Sequence, residues 1–323
     1  EQNWLGSKTG QGFYKKIKDD DGKSQILSLD LNTLEYKAQE KVKFDSIGKA
    51  REIDDLAEKT RILFNHKDKG GDFYRATFTD LFSYVSFRIP EISDELFRID
   101  DGVKAGFGWQ LGPFESWDAL GVSTVLTKMK ESGKAVASWV EEMVAAGNES
   151  FYKVEKGTRL YYDIPSKSYK AIPGTEELVI LENLRAEHTV WKNKDATIVD
   201  LGDGILNLEF HSKMNTIGAG TVAAINKAID LAEKEYEGLV VYNTGGNFSA
   251  GANVGMIFMM AVEQEYDELN FAIKQFQNTM MRVRYSSVPV VVATHQMALG
   301  GGCELSMHAD KVIAHAETYM GLV

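Results

Sequence analysis

The chain has 323 residues, 44% hydrophobic and 26% charged, a globular composition with more length than one ordinary core needs, so two domains and a small third element are expected. Acidic residues outnumber basic ones 47 to 36; the formal charge of −11 excludes a nucleic-acid surface built on clustered Lys and Arg. No apolar run reaches the roughly 18 residues of a membrane span, and the single cysteine, Cys303, excludes an internal disulfide and points to a reducing, cytoplasmic setting.

The chain opens on Glu1-Gln2-Asn3-Trp4, with neither Met nor a signal pattern, and stops at Tyr319-Met320-Gly321-Leu322-Val323 without a cap, so it is expected to be a piece of a longer protein. Over residues 44–65, Ile47, Ala50, Ile53, Leu56, Ala57, Ile62 and Leu63 recur at helical spacing among charged residues and predict one amphipathic helix. A second helix is expected over 74–87 and limited by Pro90, with Ser93 or Asp94 capping a short helix that leads into Gly102. Pro113 starts another helix that carries Trp117 and Leu120 inward, and Trp109, Phe114 and Trp117 are expected to be at least partly buried. Residues 124–146 predict a connector helix closed by Gly147-Asn148.

Between 150 and 187, short aromatic and β-branched runs divided by Lys156-Gly157, Pro165 and Pro173-Gly174 predict a small β element. Two alternating runs across Gly202-Asp203 then predict a hairpin. After it come a helix over 221–235, a buried strand at Gly238-Leu239-Val240-Val241-Tyr242, a long helix over 263–285 and a strand at 288–294, an α/β alternation.

Chemistry concentrates in two loops, each just past an apolar strand. In Ala298-Leu299-Gly300-Gly301-Gly302-Cys303-Glu304-Leu305 the glycines strip side chains from the start of a helix, so a ligand can reach free backbone N–H groups, and Glu304 falls on the first turn where a carboxylate can do acid/base work. Taken alone, the same glycines serve equally well for tight packing, with Glu304 as a helix-start charge. In Asn243-Thr244-Gly245-Gly246-Asn247-Phe248-Ser249-Ala250-Gly251-Ala252-Asn253-Val254, small residues clear a path, and the N–H groups of Gly251 and Ala252 can supply a second donor. Gly218-Ala219-Gly220-Thr221-Val222-Ala223 fits a dinucleotide pattern in spacing only, because a polar segment precedes it and Asn243 stands where an acidic ribose partner is wanted. The six histidines, among them His295, His308 and His315, show no zinc or triad spacing.

The two loops together resemble the crotonase (enoyl-CoA hydratase/isomerase) superfamily, whose members carry Phe-Ser/Cys-Ala-Gly-Ala-Asp and Ala-Leu-Gly-Gly-Gly-Cys-Glu-Leu at this separation. The resemblance implies Ala252 and Gly301 as oxyanion-hole donors and Glu304 as one of two catalytic glutamates. It also implies Ala252, Asn253, Val254, Gly255 and Gly301 as substrate-binding residues, and the strand–turn Phe210-His211-Ser212-Lys213-Met214-Asn215-Thr216-Ile217 as an Asn-containing turn near the acyl-CoA entrance. Asn253 stands where the family usually has Asp, a change expected to touch loop hydrogen bonding more than chemistry. The second glutamate is expected past Val323.

The earlier segment Ile99-Asp100-Asp101-Gly102 through Gly108-Trp109-Gln110-Leu111-Gly112-Pro113-Phe114 and Asp118-Ala119-Leu120-Gly121 resembles the C-terminal helical domain of 3-hydroxyacyl-CoA dehydrogenases, with Gln110 in place of a proline. These residues are read as packing. The NAD site and catalytic His, Glu and Asn of that family are expected upstream of Glu1, with no cofactor and no metal held in this segment. The combined expectation is an α+β multidomain chain: an all-α dehydrogenase C-terminal-type domain at 1–122, a connector helix and small β linker at 123–195, and the first half of a crotonase-like α/β (ββα spiral) domain at 196–323. The implied function is hydration of 2-enoyl-CoA in a multifunctional fatty-acid β-oxidation enzyme that oxidises 3-hydroxyacyl-CoA with NAD. The alternatives are a double-bond isomerase or a non-catalytic acyl-CoA-binding module. Acyl-CoA is the expected partner; the oligomeric state, a homo-oligomer among the options, stays open.

Overall fold

The computed structural model describes residues 3–18, 22–39, 42–53 and 55–322. It divides into two compact units, Glu1–Phe151 and Tyr152–Val323.

The first unit is not all-α. It begins with an antiparallel meander of β1 (Tyr14–Lys18), β2 (Ser24–Leu29) and β3 (Tyr36–Ala38). The turn between β2 and β3 is held by Asp30, whose Oδ1 accepts the N–H groups of Asn32 at 2.9 Å and Thr33 at 3.1 Å. Exposure alternates along β1, with Lys15 and Ile17 on its partly buried face.

Among the described residues, seven helices follow: α1 (Asp45–Arg51), α2 (Leu56–Asn65), α3 (Lys69–Ile92), α4 (Leu96–Phe107), α5 (Pro113–Leu120), α6 (Val122–Glu131) and α7 (Ser138–Ala145). The helix expected over 44–65 is therefore two, because Asp55 takes an extended conformation and accepts the Glu58 N–H at 2.6 Å, starting α2 afresh; Asp54, inside the expected helix, lies outside the described residues. Pro90 does not stop α3. Proline cannot donate to the Ser86 carbonyl, and that carbonyl instead accepts the Trp139 indole N–H at 2.9 Å. Helix α4 starts after Glu95 rather than on a Ser93 or Asp94 cap, and it runs past Gly102 to close on Gly108 at φ 67°. The expected 124–146 helix breaks into α6 and α7 at a turn with Gly133 at φ 69°; its predicted end does hold, with Gly147 at φ 85°.

The core of this unit is aromatic. Phe82 stacks on Trp117 with centroids 4.8 Å apart, and Phe151 meets Trp117 edge-on at 5.2 Å and Phe114 at 5.0 Å, all four being fully buried. Trp109, expected to be at least partly buried, is 41% exposed, because the turn after Gly108 faces solvent. Asp100 explains why the glycine-rich turn is shaped as it is. Its buried carboxylate accepts the N–H groups of Phe114 at 2.8 Å and Glu115 at 3.1 Å, capping α5 from a neighbouring helix. A side chain at Gly112 would come within 2.4 Å of the Asp100 Cα, so only glycine lets the two segments approach.

In the second unit, β4 (Tyr152–Glu155), β5 (Thr158–Asp163) and β6 (Ser168–Ala171) form the antiparallel β element expected there, followed by α8 (Leu181–His188). The main sheet is built from β7 (Thr189–Lys192), β8 (Ala196–Gly202), β9 (Ile205–Phe210), β10 (Gly238–Tyr242), β11 (Val290–Thr294) and, after β12 (Met297–Leu299), β13 (Lys311–Ala314). Its order is β13-β11-β10-β9-β8-β7, parallel from β9 to β13 and antiparallel from β7 to β9. The hairpin turn falls one residue later than expected, on Asp203 (φ 51°) and Gly204 (φ 73°), both left-handed as a type I′ turn requires.

Helix α9 (Ala219–Glu235) crosses from β9 to β10 and presents Ala224, Ala228 and Ala232 with Ile225 and Ile229 to Leu206, Leu208, Leu239 and Val241. Alanine at every fourth position lets the helix lie close on the sheet. Helices α10 (Val254–Val262), α11 (Tyr266–Arg284) and α12 (Gly301–His308), with β14 (Tyr319–Gly321) paired parallel to β12, complete the unit. Among the described residues, no helix is long and apolar enough to cross a membrane.

Two outcomes test the packing of the first unit. Asp100→Ala removes the acceptor of two N–H donors at a buried helix start and should lower the unfolding free energy by about 2–3 kcal/mol, read from urea transitions. Asp68 caps α3 and ties it to α1: its carboxylate accepts the N–H groups of Ser46 at 2.9 Å and Gly71 at 2.8 Å, which hold its pKa at about 2 against an ordinary 3.8. A depressed carboxyl stabilises the fold above its unfolded pKa, so this contribution is complete above pH 3.8 and is lost as pH falls toward about 2. In Asp68→Asn, stability should fall less steeply across that window, measured as the urea midpoint against pH.

Candidate active site

The two glycine-bearing loops lie side by side because β10 and β11 are parallel neighbours and each loop leaves the same end of the sheet. Ser249 pairs with Ala298 as an isolated parallel bridge: its N–H donates to Met297 O at 2.9 Å, and its carbonyl accepts the Leu299 N–H at 2.9 Å. Gly251 then takes φ 90°, and a Cβ there would lie 2.7 Å from Leu299 O and 3.2 Å from the Gly301 nitrogen, so this glycine is required by both conformation and space.

The carbonyl of the next peptide plane is held by a hydrogen bond. The Gly251 carbonyl accepts the Ile217 N–H at 2.8 Å. In a planar trans peptide, C=O and N–H point in opposite directions, so the Ala252 N–H is turned away from Ile217. Gly300, at φ 49° and ψ −118°, turns the second loop into α12, with its N–H donating to Gly321 O at 2.9 Å. Gly301 opens the helix, where no intrahelical acceptor exists. Among the described residues, neither the Ala252 nor the Gly301 N–H has a backbone acceptor.

A cavity of about 620 Å³ borders these loops, lined by Ala252, Asn253 and Glu304 and walled by Ile217, Met256 and Phe276. Glu304 sits half-buried on the first turn of α12, its N–H donating to Gly300 O. Gly301 itself does not line the cavity; a Cβ there would lie 3.2 Å from the Phe276 ring. Asn253 is the N-cap of α10, its Oδ1 accepting the Met256 N–H at 3.2 Å. Val254 and Gly255 form the exposed outer part of the first turn of α10 and do not line the cavity. Sequence reasoning missed α10 and with it the walls formed by Met256, Ile257 and Met260; the one available signal was the uncharged apolar run Val254–Val262.

The turn before α9 supports the first loop. Met214 and Asn215 both take left-handed φ, 57° and 50°. They are held by Asn215 Nδ2 donating to Asn247 O at 2.8 Å and by the Ala250 N–H donating to Met214 O at 3.1 Å. Behind the loop lies an ion pair with a buried carboxylate and a partly exposed guanidinium. Arg185 donates to the Glu209 carboxylate at 2.9 and 2.5 Å, and Thr244 Oγ donates to the same carboxylate at 2.5 Å. Burial alone would raise the Glu209 pKa; hydrogen bonds from Arg185 and Thr244 outweigh it and bring it below the ordinary carboxylate value. Burial lowers the pKa of His211, whose Nε2 lies 2.7 Å from Thr197 Oγ. Burial and the Glu304 charge raise that of the Cys303 thiol, which makes it a poor nucleophile.

The chain's Gly-x-Gly segment does not fit a dinucleotide. Gly220 serves packing, since a Cβ there would strike the Asp195 carboxylate, and a 3-10 turn rather than a strand leads into α9. Asn243 is committed to the Phe210 N–H and the Phe248 carbonyl.

Residues 200–322, the C-terminal part of the chain, match the enoyl-CoA hydratase/isomerase family, and this part has the α/β fold described above. Across its whole length the chain is similar to a probable 3-hydroxyacyl-CoA dehydrogenase of Bacillus subtilis (strain 168), 40% identical over 324 residues. It is also similar to a putative fatty acid oxidation complex trifunctional enzyme of Rickettsia felis, 24% identical over 328 residues. It spans 40% of the length of each of these relatives. A solved enoyl-CoA hydratase from Thermoplasma volcanium GSS1 matches 40% of this chain and 52% of its own at 26% identity and a TM-score of 0.36.

Gly251→Ala tests the loop geometry without reference to a reaction. Forcing a side chain into left-handed backbone against Leu299 O should cost about 1–3 kcal/mol of unfolding free energy, read from the urea transition of the second unit.

Proposed function

We propose that the second unit hydrates 2-enoyl-CoA thioesters within a multifunctional fatty-acid β-oxidation enzyme. The observation that carries this is a pair of N–H groups, Ala252 and Gly301, with no backbone acceptor among the described residues, on adjacent loops, the first of which lines a cavity edged by Glu304. In this reading the Ala252 and Gly301 N–H groups bind the thioester oxygen. Water adds to C3 while the electron pair of the double bond moves toward the carbonyl, and the two donors stabilise the enolate oxygen. Glu304 orients the water and takes its proton, and a proton is returned to C2, so that one water is added across the double bond. The resemblance calls for a second glutamate in this step. Asn253 and the walls on α10 and α11 receive the acyl-thioester arm.

The same proposal assigns residues 1–122 to a 3-hydroxyacyl-CoA dehydrogenase C-terminal-type domain, 123–195 to a connector and 196–323 to the hydratase half. The relative of Bacillus subtilis named for that dehydrogenase supports it, as does the Asp100 cap on the Pro113 helix start. In this reading NAD binding and hydride transfer are assigned to no residue of these two units.

The test is crotonyl-CoA hydration by the polypeptide at its relatives' length. Glu304→Gln should lower kcat by about 10²–10⁴-fold, the usual worth of a positioned acid or base, with KM little changed. Double-bond migration without hydration would favour the isomerase reading, and CoA-thioester binding without turnover of any enoyl-CoA would sink both.

A further inference from the structure

We propose that Ser249 is a positioning residue that sets the direction of the Ala252 donor; this rests on the hydratase reading of the same loop. Ser249 is fully buried, and its hydroxyl is used twice. It donates to Asn215 O at 2.7 Å and accepts the Gly251 N–H at 3.1 Å. One oxygen thus joins the strained turn at 214–215 to the residue whose carbonyl begins the donor peptide.

The consequence follows from the two peptide planes that meet at Gly251. The Ser249 hydroxyl holds the Gly251 N–H, and the Ile217 N–H holds its carbonyl. With both sides pinned, φ and ψ of Gly251 have little freedom, although glycine at φ 90° is the residue with most freedom to lose. The direction of the Ala252 N–H is then set by the pair of bonds. The Ser249 backbone bridge to Met297 and Leu299 extends the same control to the second loop, and a Cβ at Gly302 would lie 2.7 Å from the Ser249 Cβ, so the two loops are in register where they touch.

A serine that only filled space would need neither hydrogen bond. Its loss as Ala leaves Gly251 N–H and Asn215 O without that partner in a buried region, and the loop must turn to satisfy them. The thioester oxygen would then see one aligned donor instead of two.

The experiment reads the carbonyl directly. In the polypeptide at its relatives' length, the C=O stretch of bound crotonyl-CoA should lie below its solution position, since two donors polarise it. In Ser249→Ala that band should move back toward solution, and kcat should fall roughly tenfold or more, short of the 10²–10³ lost when a donor is removed outright, with KM within about twofold. Ser249→Cys keeps a weak donor and acceptor and should lie between the two; it carries the same measurement if the alanine variant does not fold. An unmoved band and an unchanged kcat in Ser249→Ala overturn the positioning role alone. No band shift and no turnover in the unmodified protein overturn the hydratase reading, and this inference with it.

Discussion

The site depends on the hydrogen bond from the Ile217 N–H to the Gly251 carbonyl, 2.8 Å long. It decides where the Ala252 N–H faces, and most of the local architecture serves to make it. Ile217 is delivered by the turn at 213–216, whose left-handed Met214 and Asn215 are held by the loop they support. Turn and loop therefore form one cooperative piece. Each left-handed non-glycine residue costs of the order of 1–2 kcal/mol, and such strain persists only where the surroundings over-determine it. Four hydrogen bonds between the two segments supply that determination: Asn215 to Asn247, Ser249 to Asn215, Ala250 to Met214 and Ile217 to Gly251.

A second constraint comes from charge. Glu209 has a fully buried side chain, and Arg185 and Thr244 enclose its oxygens. Removing a carboxylate and a guanidinium from water is costly, and such a pair seldom adds much net stability over apolar packing. Its effect here is positional. Glu209 lies on β9, Arg185 on α8 and Thr244 near the start of the loop that leads to Ala252, so the pair ties the beginning of the loop to the sheet while the Ser249 cluster ties its far end.

What could be read from the sequence follows from how local each signal is. The strand at Gly238–Tyr242, the helix before it, the Asp203 hairpin and the α5 start at Pro113 rest on patterns of a few neighbouring residues, and the structure has them within a residue or two. The two loops were found by their glycines and by resemblance. Their mutual approach depends on the parallel pairing of β10 and β11, which no local pattern states. Pro90 is the clearest miss: the Ser86 carbonyl it leaves unpaired is satisfied by Trp139, far along the chain. The β1–β3 meander escaped notice because its alternating strand is mostly lysine, and α10 because a helix that is apolar on every side has no amphipathic period to find.

Helix α10 also explains why Asn253 can stand where the family usually has aspartate. The side chain there has one structural task, to accept the Met256 N–H and start the helix, and an amide oxygen caps about as well as a carboxylate. A carboxylate would add a further negative charge to a cavity whose lining already holds Glu268 and Glu304 beside the apolar walls Met256, Ile257, Met260 and Phe276. Asparagine keeps the cap and leaves out that charge. The substitution therefore bears on the electrostatics of the loop while leaving the start of α10 in place.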